Sequence, residues 1–291
     1  MNNAAPEITF PKLGIEIEHL SRTAVSVFGI DIYWYGMFIG LAVITGVLIL
    51  LYNARRTGQD PDIYFDFAIL VMIVSIIGAR LYYVAFSWDL YKANPLEILN
   101  FRNGGLAIYG GVISAIAAAL IYSGKKGVSF RLFADTCVAP LAIGQAIGRW
   151  GNFFNREAFG SYTDSLFAMR YTLGTVYEGN ITRDILDNLV VSNGAEYVQV
   201  HPTFLYESAW NAFLFIVLML MLGRCKQEGR VFAVYAIVYG IGRFFIEGLR
   251  TDQLLLWGTQ IPISQIVSLA FISVGLFIFF YHGVSKEKPD L

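Results

Sequence analysis

Three arginines, Arg80, Arg149 and Arg243, interrupt stretches of sequence that are otherwise apolar. Near the middle of a membrane helix such a residue costs about 2.5–3.5 kcal/mol, so each needs a partner, a ligand or a path to the interface. Snorkelling or a structural ion pair accounts for any one of them taken alone. Arg149 and Arg243 together suggest more, because both fall near the same end of their apolar runs. A guanidinium forks onto phosphate in a bidentate way that an ammonium cannot, and the cations at this depth are all arginine, whereas the flanking polar stretches mix in lysine. The pair points to a phosphate held among helices.

Tyr235, Tyr239, Arg243, Glu247 and Arg250 recur at spacings of four, four, four and three, which puts all five on one stripe of a helix. A polar stripe on an apolar helix belongs against a bundle interior or a water-filled cavity; an Arg243–Glu247 pair that only neutralises itself leaves the same pattern. The run GQAIGRWGNFFNREAFG puts Gly144, Gly148 and Gly151 on a small-residue face suited to close helix approach and then crowds Arg149, Asn152, Asn155 and Glu157 together. Asparagines beside an arginine can orient a phosphate or a glycerol hydroxyl, and equally can cap a helix end.

In RNGGLAIYGGVIS, Tyr109 stands between two glycine pairs, Gly104–Gly105 and Gly110–Gly111, where a helix begins. The free N–H groups and dipole of a helix N-terminus suit an anion; a loosened first turn with Tyr109 in an aromatic belt fits the same residues. Of the histidines, His19 lies in the N-terminal tail and His282 at the far end, which leaves His201 of HPTFLYE near the arginines' end of the helices. Pro202 suits a first helical position, and His201 before it is either structural or a proton carrier. Glu207, within that helix, is costly to bury unpaired. The sequence contains no G-x-S-x-G, H-E-x-x-H, P-loop or cysteine cluster, so the chemistry is expected to run without a covalent nucleophile or metal.

These residues need elements to hold them. Only 15% of the 291 residues are charged and 56% are hydrophobic, against roughly 25% charged in soluble domains, and the mean hydropathy is +0.56; a membrane is the natural solvent. Seven runs approach the roughly 20 residues a spanning helix needs, near 33–53, 64–86, 106–123, 130–148, 203–222, 231–248 and 261–282. Lipid offers no partner for backbone groups, and the runs are too long for barrel strands. The expected fold is an all-α polytopic membrane protein of about seven transmembrane helices, a single catalytic domain over 1–291, with 156–201 as a small extracytoplasmic head. The first thirty residues lack the pattern of a cleavable signal peptide and read as an ordered or interfacial tail. Net charge is −1, so nucleic acid is not an expected partner. Cys137 and Cys225 suggest neither a disulfide framework nor a metal site.

Arg55 and Arg56, then Lys125, Lys126 and Arg131, then Arg224, Lys226 and Arg230, then Lys286 and Lys288 all fall on one side of the spans, which the positive-inside rule makes cytoplasmic. The N-terminus is then expected outside and the C-terminus inside, with 87–105, 149–202 and the Arg250–Gln260 connection outside. Tyr33, Trp34 and Tyr35 suit an outer aromatic belt.

WYG at 34–36, GGLAIYGG at 104–111, GRWGNFFNREAFG at 148–160, HPTFLYE at 201–207 and YGIGRFFIEGLRTD at 239–252 closely resemble the prolipoprotein diacylglyceryl transferase family. The match runs in order through nearly every span, and GRxGNFxNxExxG is specific to that family. The resemblance implies a bacterial inner-membrane enzyme whose site opens to the outer leaflet. It would move the diacylglyceryl group of phosphatidylglycerol to the lipobox cysteine of a prolipoprotein signal peptide. That first step of lipoprotein maturation forms a thioether, releases glycerol phosphate and requires no cofactor.

Carried over by position, the family's functional arginines match Arg149 and Arg243, its site tyrosines Tyr35 and Tyr239, its signature asparagine and acid Asn152 and Glu157, and the outer end of its sixth helix Glu247 and Arg250. We expect Arg149, Arg243, Tyr109 and His201 to act in catalysis, and Tyr35, Asn152, Asn155, Glu157, Gly160, Tyr239, Glu247 and Arg250 to bind substrate. Tyr109 stands where many members carry histidine, so an imidazole base there is not universal. The proton acceptor is open among Tyr109, His201 and a carboxylate such as Glu157.

Such a reaction needs the cysteine as thiolate and stabilisation of the leaving phosphate, which positioned arginines supply in a low-dielectric site. A transporter would show inverted repeats or paired broken helices, and a phospholipid hydrolase a nucleophile–base pair. The sequence displays neither.

Overall fold

The computed structural model describes residues 5–100 and 104–281; His282, Lys286 and Lys288 lie outside them. The chain begins with strands β1 (Ile8–Phe10), β2 (Ile15–Ile17), β3 (Thr23–Val27) and β4 (Ile30–Tyr33). Helices α1 (Trp34–Arg56), α2 (Pro61–Phe86) and the short α3 (Trp88–Tyr91) follow, then a 3-10 turn at Pro95–Leu99, α4 (Ile108–Lys125) and α5 (Phe130–Asn155). A mixed segment holds β5 (Met169–Thr172), the short α6 (Arg183–Asp187), β6 (Val190–Ser192) and β7 (Ala195–Val200), before α7 (Thr203–Leu222), α8 (Arg230–Glu247) and α9 (Ile263–Phe280).

Each of the seven expected spans is a helix. Six, namely α1, α2, α4, α5, α7 and α9, are long and apolar enough to cross a membrane by length and composition. The remaining one, α8, carries three charged residues, Arg230, Arg243 and Glu247, and it runs along α9 and α7. Leu48, Ile73, Ile113 and Phe277 are each more than half exposed, which apolar side chains in such numbers tolerate only against hydrocarbon.

α5 is the central helix, in contact with α1, α4, α7 and α8. Its fully buried Asp135 accepts hydrogen bonds from the Gly229 and Phe232 N–H groups, at 2.9 and 2.8 Å. A carboxylate against free N–H groups satisfies both the donors and the dipole of a helix start, so α8 is fixed at its N-terminus by α5. α2 and α4 touch backbone to backbone: a Cβ on Gly110 would run into the Gly78 carbonyl oxygen.

Beside the bundle sits an antiparallel sheet in the order β2-β1-β5-β7-β6. The polar segment expected as a head, 156–201, folds together with the N-terminal tail, Ile8 pairing with Tyr171 and Met169 with Val200. Ile8, Phe159, Met169, Tyr171, Val198 and Val200 are at most 2% exposed, and burial of side chains of this size contributes about 1.5–3 kcal/mol each. Phe153 from the end of α5 and Phe204 from the start of α7 join this core, their rings 4.7 Å apart. The sheet is therefore seated on the helix ends that carry Arg149 and Glu207. Strands β3 and β4 form a separate hairpin leading directly into α1.

Candidate active site

The charged residues converge on one carboxylate. Glu207, five residues into α7, is 3% exposed. Its Oε2 lies 2.8 Å from Arg149 Nε on α5, and its Oε1 lies 2.9 Å from Arg243 Nη1 on α8. Arg243 Nη2 pairs with Glu247 Oε2 at 2.5 Å, one turn further along α8. Arg250, just past the end of that helix, approaches Glu207 at 3.6 Å and forks onto both oxygens of Asp252 at 2.9 and 2.8 Å. Burial raises the Asp252 pKa, but the Arg250 guanidinium outweighs it and holds the carboxyl below its ordinary range.

The stripe expected from Tyr235 to Arg250 is thus realised, with its charged end turned toward α5 and α7. Tyr239 stacks on Tyr235 at 5.3 Å, and Tyr235 receives a hydrogen bond from Gln145 of α5 at 3.1 Å.

The α5 end contributes amides. Arg149 Nη1 donates to Asn152 Oδ1 at 3.2 Å, Asn152 Nδ2 donates to Glu157 Oε1 at 2.8 Å, and Asn155 Nδ2 donates to the same oxygen at 3.3 Å. A continuous polar chain therefore runs from Glu157 through Asn152 and Arg149 to Glu207, Arg243 and Glu247. Tyr35 lies over Gly151, where an added Cβ would come within 2.8 Å of its ring. Gly160 is held between two strands of chain: its N–H donates to the His201 carbonyl at 3.0 Å, and a Cβ there would meet His201 Cβ at 2.7 Å and the Leu249 carbonyl at 2.9 Å. Its place in the site is backbone packing that joins the signature loop to the end of α8.

Two of the expected catalytic residues make contacts away from this cluster. Tyr109 reaches across to α9, its hydroxyl 3.3 Å from that of Ser264. His201 turns its Nδ1 to the Tyr206 hydroxyl at 3.3 Å, and burial lowers its pKa, which favours the neutral ring. Arg80, 4% exposed, donates to five backbone carbonyls, those of Glu97, Ile98, Asn100, Gly104 and Gly105, at 2.7–3.0 Å. It ties Glu97, Ile98 and Asn100 to the Gly104–Gly105 pair that precedes α4.

Glu207 and Asp252 were missing from the expected site. The signal for Glu207 was present: two lone arginines on different helices require a buried acid, and a single acid lies in the α7 run. With both included, Arg149, Arg243 and Arg250 face four carboxylates, Glu157, Glu207, Glu247 and Asp252. Glu207 and Glu247 are nearly sealed and tied to arginine, whereas Glu157 is only partly buried and, among the described residues, is bound by amides alone. No group of three or more histidine, cysteine or acidic residues suited to a metal ion occurs among the described residues.

A family model described as prolipoprotein diacylglyceryl transferase matches residues 22–281. The phosphatidylglycerol–prolipoprotein diacylglyceryl transferase of Clostridioides difficile (strain 630) is 42% identical over 271 residues, covering 93% of this chain and 98% of the relative. Proteins of the same name from Listeria monocytogenes serotype 4a (strain HCC23) and Bacillus anthracis are 40% and 39% identical. The former alignment covers 95% of each chain, the latter 89% of this chain and 91% of the relative.

Proposed function

This chain belongs to the prolipoprotein diacylglyceryl transferase family, and on that footing we propose how its charged cluster carries out diacylglyceryl transfer. The substrates are phosphatidylglycerol and the lipobox cysteine of a prolipoprotein signal peptide; the products are a thioether-linked diacylglyceryl cysteine and glycerol phosphate. The observation that carries the reading is the Arg149–Glu207–Arg243 bridge, which brings two guanidiniums from different helices to one point.

The cysteine sulfur attacks C3 of the diacylglyceryl group, an S–C bond forms, and the C–O bond to the phosphate breaks with its electron pair leaving on the phosphate oxygen. Arg149 and Arg243 hold that phosphate by N–H groups that Glu207 does not occupy, and Glu207 keeps both guanidiniums in register before lipid arrives. Preorganised donors aimed at developing charge are worth most where water is excluded.

Glu157 takes the thiol proton. It is the carboxylate of the cluster that is both reachable and free of an arginine partner, and its protonation offsets the excess of carboxylates as the phosphate enters. Asn152 links the two events, since it touches both Glu157 and Arg149. Tyr35 and Tyr239 border the lipid, and Tyr109 donates a hydrogen bond to a lipid or phosphate oxygen after leaving Ser264. A phenol, with a pKa near 10, serves as donor without prior ionisation. His201 stays neutral and structural.

The site faces the outer side of the bacterial inner membrane, with the N-terminus outside and the C-terminus in the cytoplasm. Supporting this are the basic residues after α1, α4 and α7. A cysteine placed at Lys126 should be protected from an impermeant thiol reagent in intact cells and one at Asn180 labelled; the reverse would refute the orientation. The reaction itself is tested by following glycerol phosphate released from phosphatidylglycerol. Release should require a lipobox peptide and cease when its cysteine is replaced by serine. Release without peptide would mean a hydrolase instead.

A further inference from the structure

The loop carrying Glu157 contains two residues in the left-handed region, Arg156 and Ala158, both with φ of 55°. Neither is glycine, and in that region the Cβ crowds the following carbonyl; such residues persist where the surroundings hold them. Ala158 is held because Thr203 Oγ1 donates to its carbonyl. Arg156 is held by its own side chain. That side chain, 8% exposed, reaches from the end of α5 to the N-terminal segment, where Nη2 pairs with Glu7 Oε2 and donates to the Leu20 carbonyl. Glu7 is itself fixed by the Leu20 N–H at 3.0 Å and by His19 Nδ1 at 2.9 Å. Glu157 comes next in the chain, its N–H donating to the Asn152 carbonyl at 3.1 Å and its carboxylate accepting from Asn152 and Asn155.

We propose that the Glu7–Arg156 pair is a positioning latch for Glu157: the N-terminal segment keeps Arg156 in the left-handed conformation that aims the Glu157 carboxylate at Asn152. The proposal rests on Glu157 belonging to the site described above. Without Glu7, the Arg156 guanidinium is left buried without its carboxylate, and nothing offsets the left-handed backbone. Arg156 then relaxes, the peptide between 156 and 157 turns, and the Glu157 N–H leaves Asn152. Glycine adopts the same conformation at no steric cost, so glycine at 156 makes the latch dispensable. The N-terminal tail is on this view part of the catalytic apparatus, although it lies far from the signature in sequence.

The test measures peptide-dependent transfer by the full-length protein and four latch variants, Glu7→Gln, Arg156→Ala, Arg156→Gly and the double variant Glu7→Gln/Arg156→Gly, beside Glu157→Gln. Glu7→Gln and Arg156→Ala should each lose about tenfold, the scale of the left-handed cost. Arg156→Gly should stay within about threefold of the parent, and Glu7→Gln should cost less than about twofold more in that background, because the glycine needs no latch. An equal loss from Glu7→Gln in both backgrounds, including loss of folded protein in both, would mean that Glu7 merely braces the sheet and would overturn the proposal. So would an Arg156→Gly variant as impaired as Arg156→Ala. Full activity of Glu157→Gln would remove Glu157 from the site and the latch with it, whereas an inactive Glu157→Gln beside a fully active Glu7→Gln would sink the latch alone.

Discussion

Arg149 and Arg243, on α5 and α8, share the two oxygens of Glu207 at 2.8 and 2.9 Å. On the proposed mechanism, replacing either arginine by alanine removes a phosphate donor and frees a Glu207 oxygen. Each variant should lose at least a hundredfold in transfer, on the scale of a lost preorganised donor of about 2.7–4 kcal/mol, while still reaching the membrane. Lysine should rescue poorly, since an ammonium cannot hold Glu207 and phosphate in one plane. Full activity of either lysine variant would refute bidentate phosphate binding.

Glu207→Gln should be more damaging to the fold than either arginine variant. Removing the shared acid strands two mostly buried guanidiniums, and breaking such a pair from one side costs about 3–5 kcal/mol. In a chain of this size that corresponds to a fall in Tm of order 10 °C, read by thermal melting in detergent. An unchanged Tm would mean that Glu247 and Asp252 compensate.

The spans were legible because hydrocarbon demands long apolar helices, and α1, α7 and α9 lie where the hydropathy put them. The charged stripe on α8 was legible for the same reason: a charge in an apolar run must be explained. The sheet was hidden, since β1, β2 and β6 are three residues long, too short for a period of two to register, and their partners are more than 150 residues apart for β1 and β5. Glu207 was visible as an acid in α7, but that it binds three arginines from other segments depends on how α5, α7 and α8 converge. Tyr109 and His201 are expected in the site from their place at the outer helix ends and within the family's motifs, whereas their contacts with Ser264 and Tyr206 are set by side-chain direction, which no motif encodes.

Arg80 differs from the other two membrane arginines in donating to five backbone carbonyls, with its guanidinium over the Tyr91 ring at 5.2 Å. Arg80→Ala should release the carbonyls of Glu97, Ile98, Asn100, Gly104 and Gly105, lower Tm by several degrees and reduce transfer, at roughly 1 kcal/mol for each hydrogen bond not replaced by water. Tyr109→Phe should leave Tm unchanged and reduce transfer several-fold, and Tyr109→His should retain substantial activity. A fully active Tyr109→Phe would show that the hydroxyl has no role.

His201 supplies a pH signature. Burial lowers its pKa, so the unfolded chain binds a proton more readily than the folded one, and stability is expected to fall as pH drops below about 6.5, the ordinary histidine value. Above that pH the contribution is fully present. His201→Gln should flatten this acid limb in thermal melts and keep transfer at pH 7.5; abolished transfer with normal protein level would instead make His201 the proton carrier.

The central claim is that a diacylglyceryl group passes from lipid to cysteine sulfur under the hold of the arginine pair. Intact-mass and fragment analysis of a lipobox peptide incubated with purified enzyme and phosphatidylglycerol tests it most directly. The account predicts a diacylglyceryl adduct in thioether linkage on the cysteine, stable to neutral hydroxylamine and absent with Arg149→Ala or Arg243→Ala. An unmodified peptide, a hydroxylamine-labile acyl adduct, or an adduct undiminished in both arginine variants would contradict it.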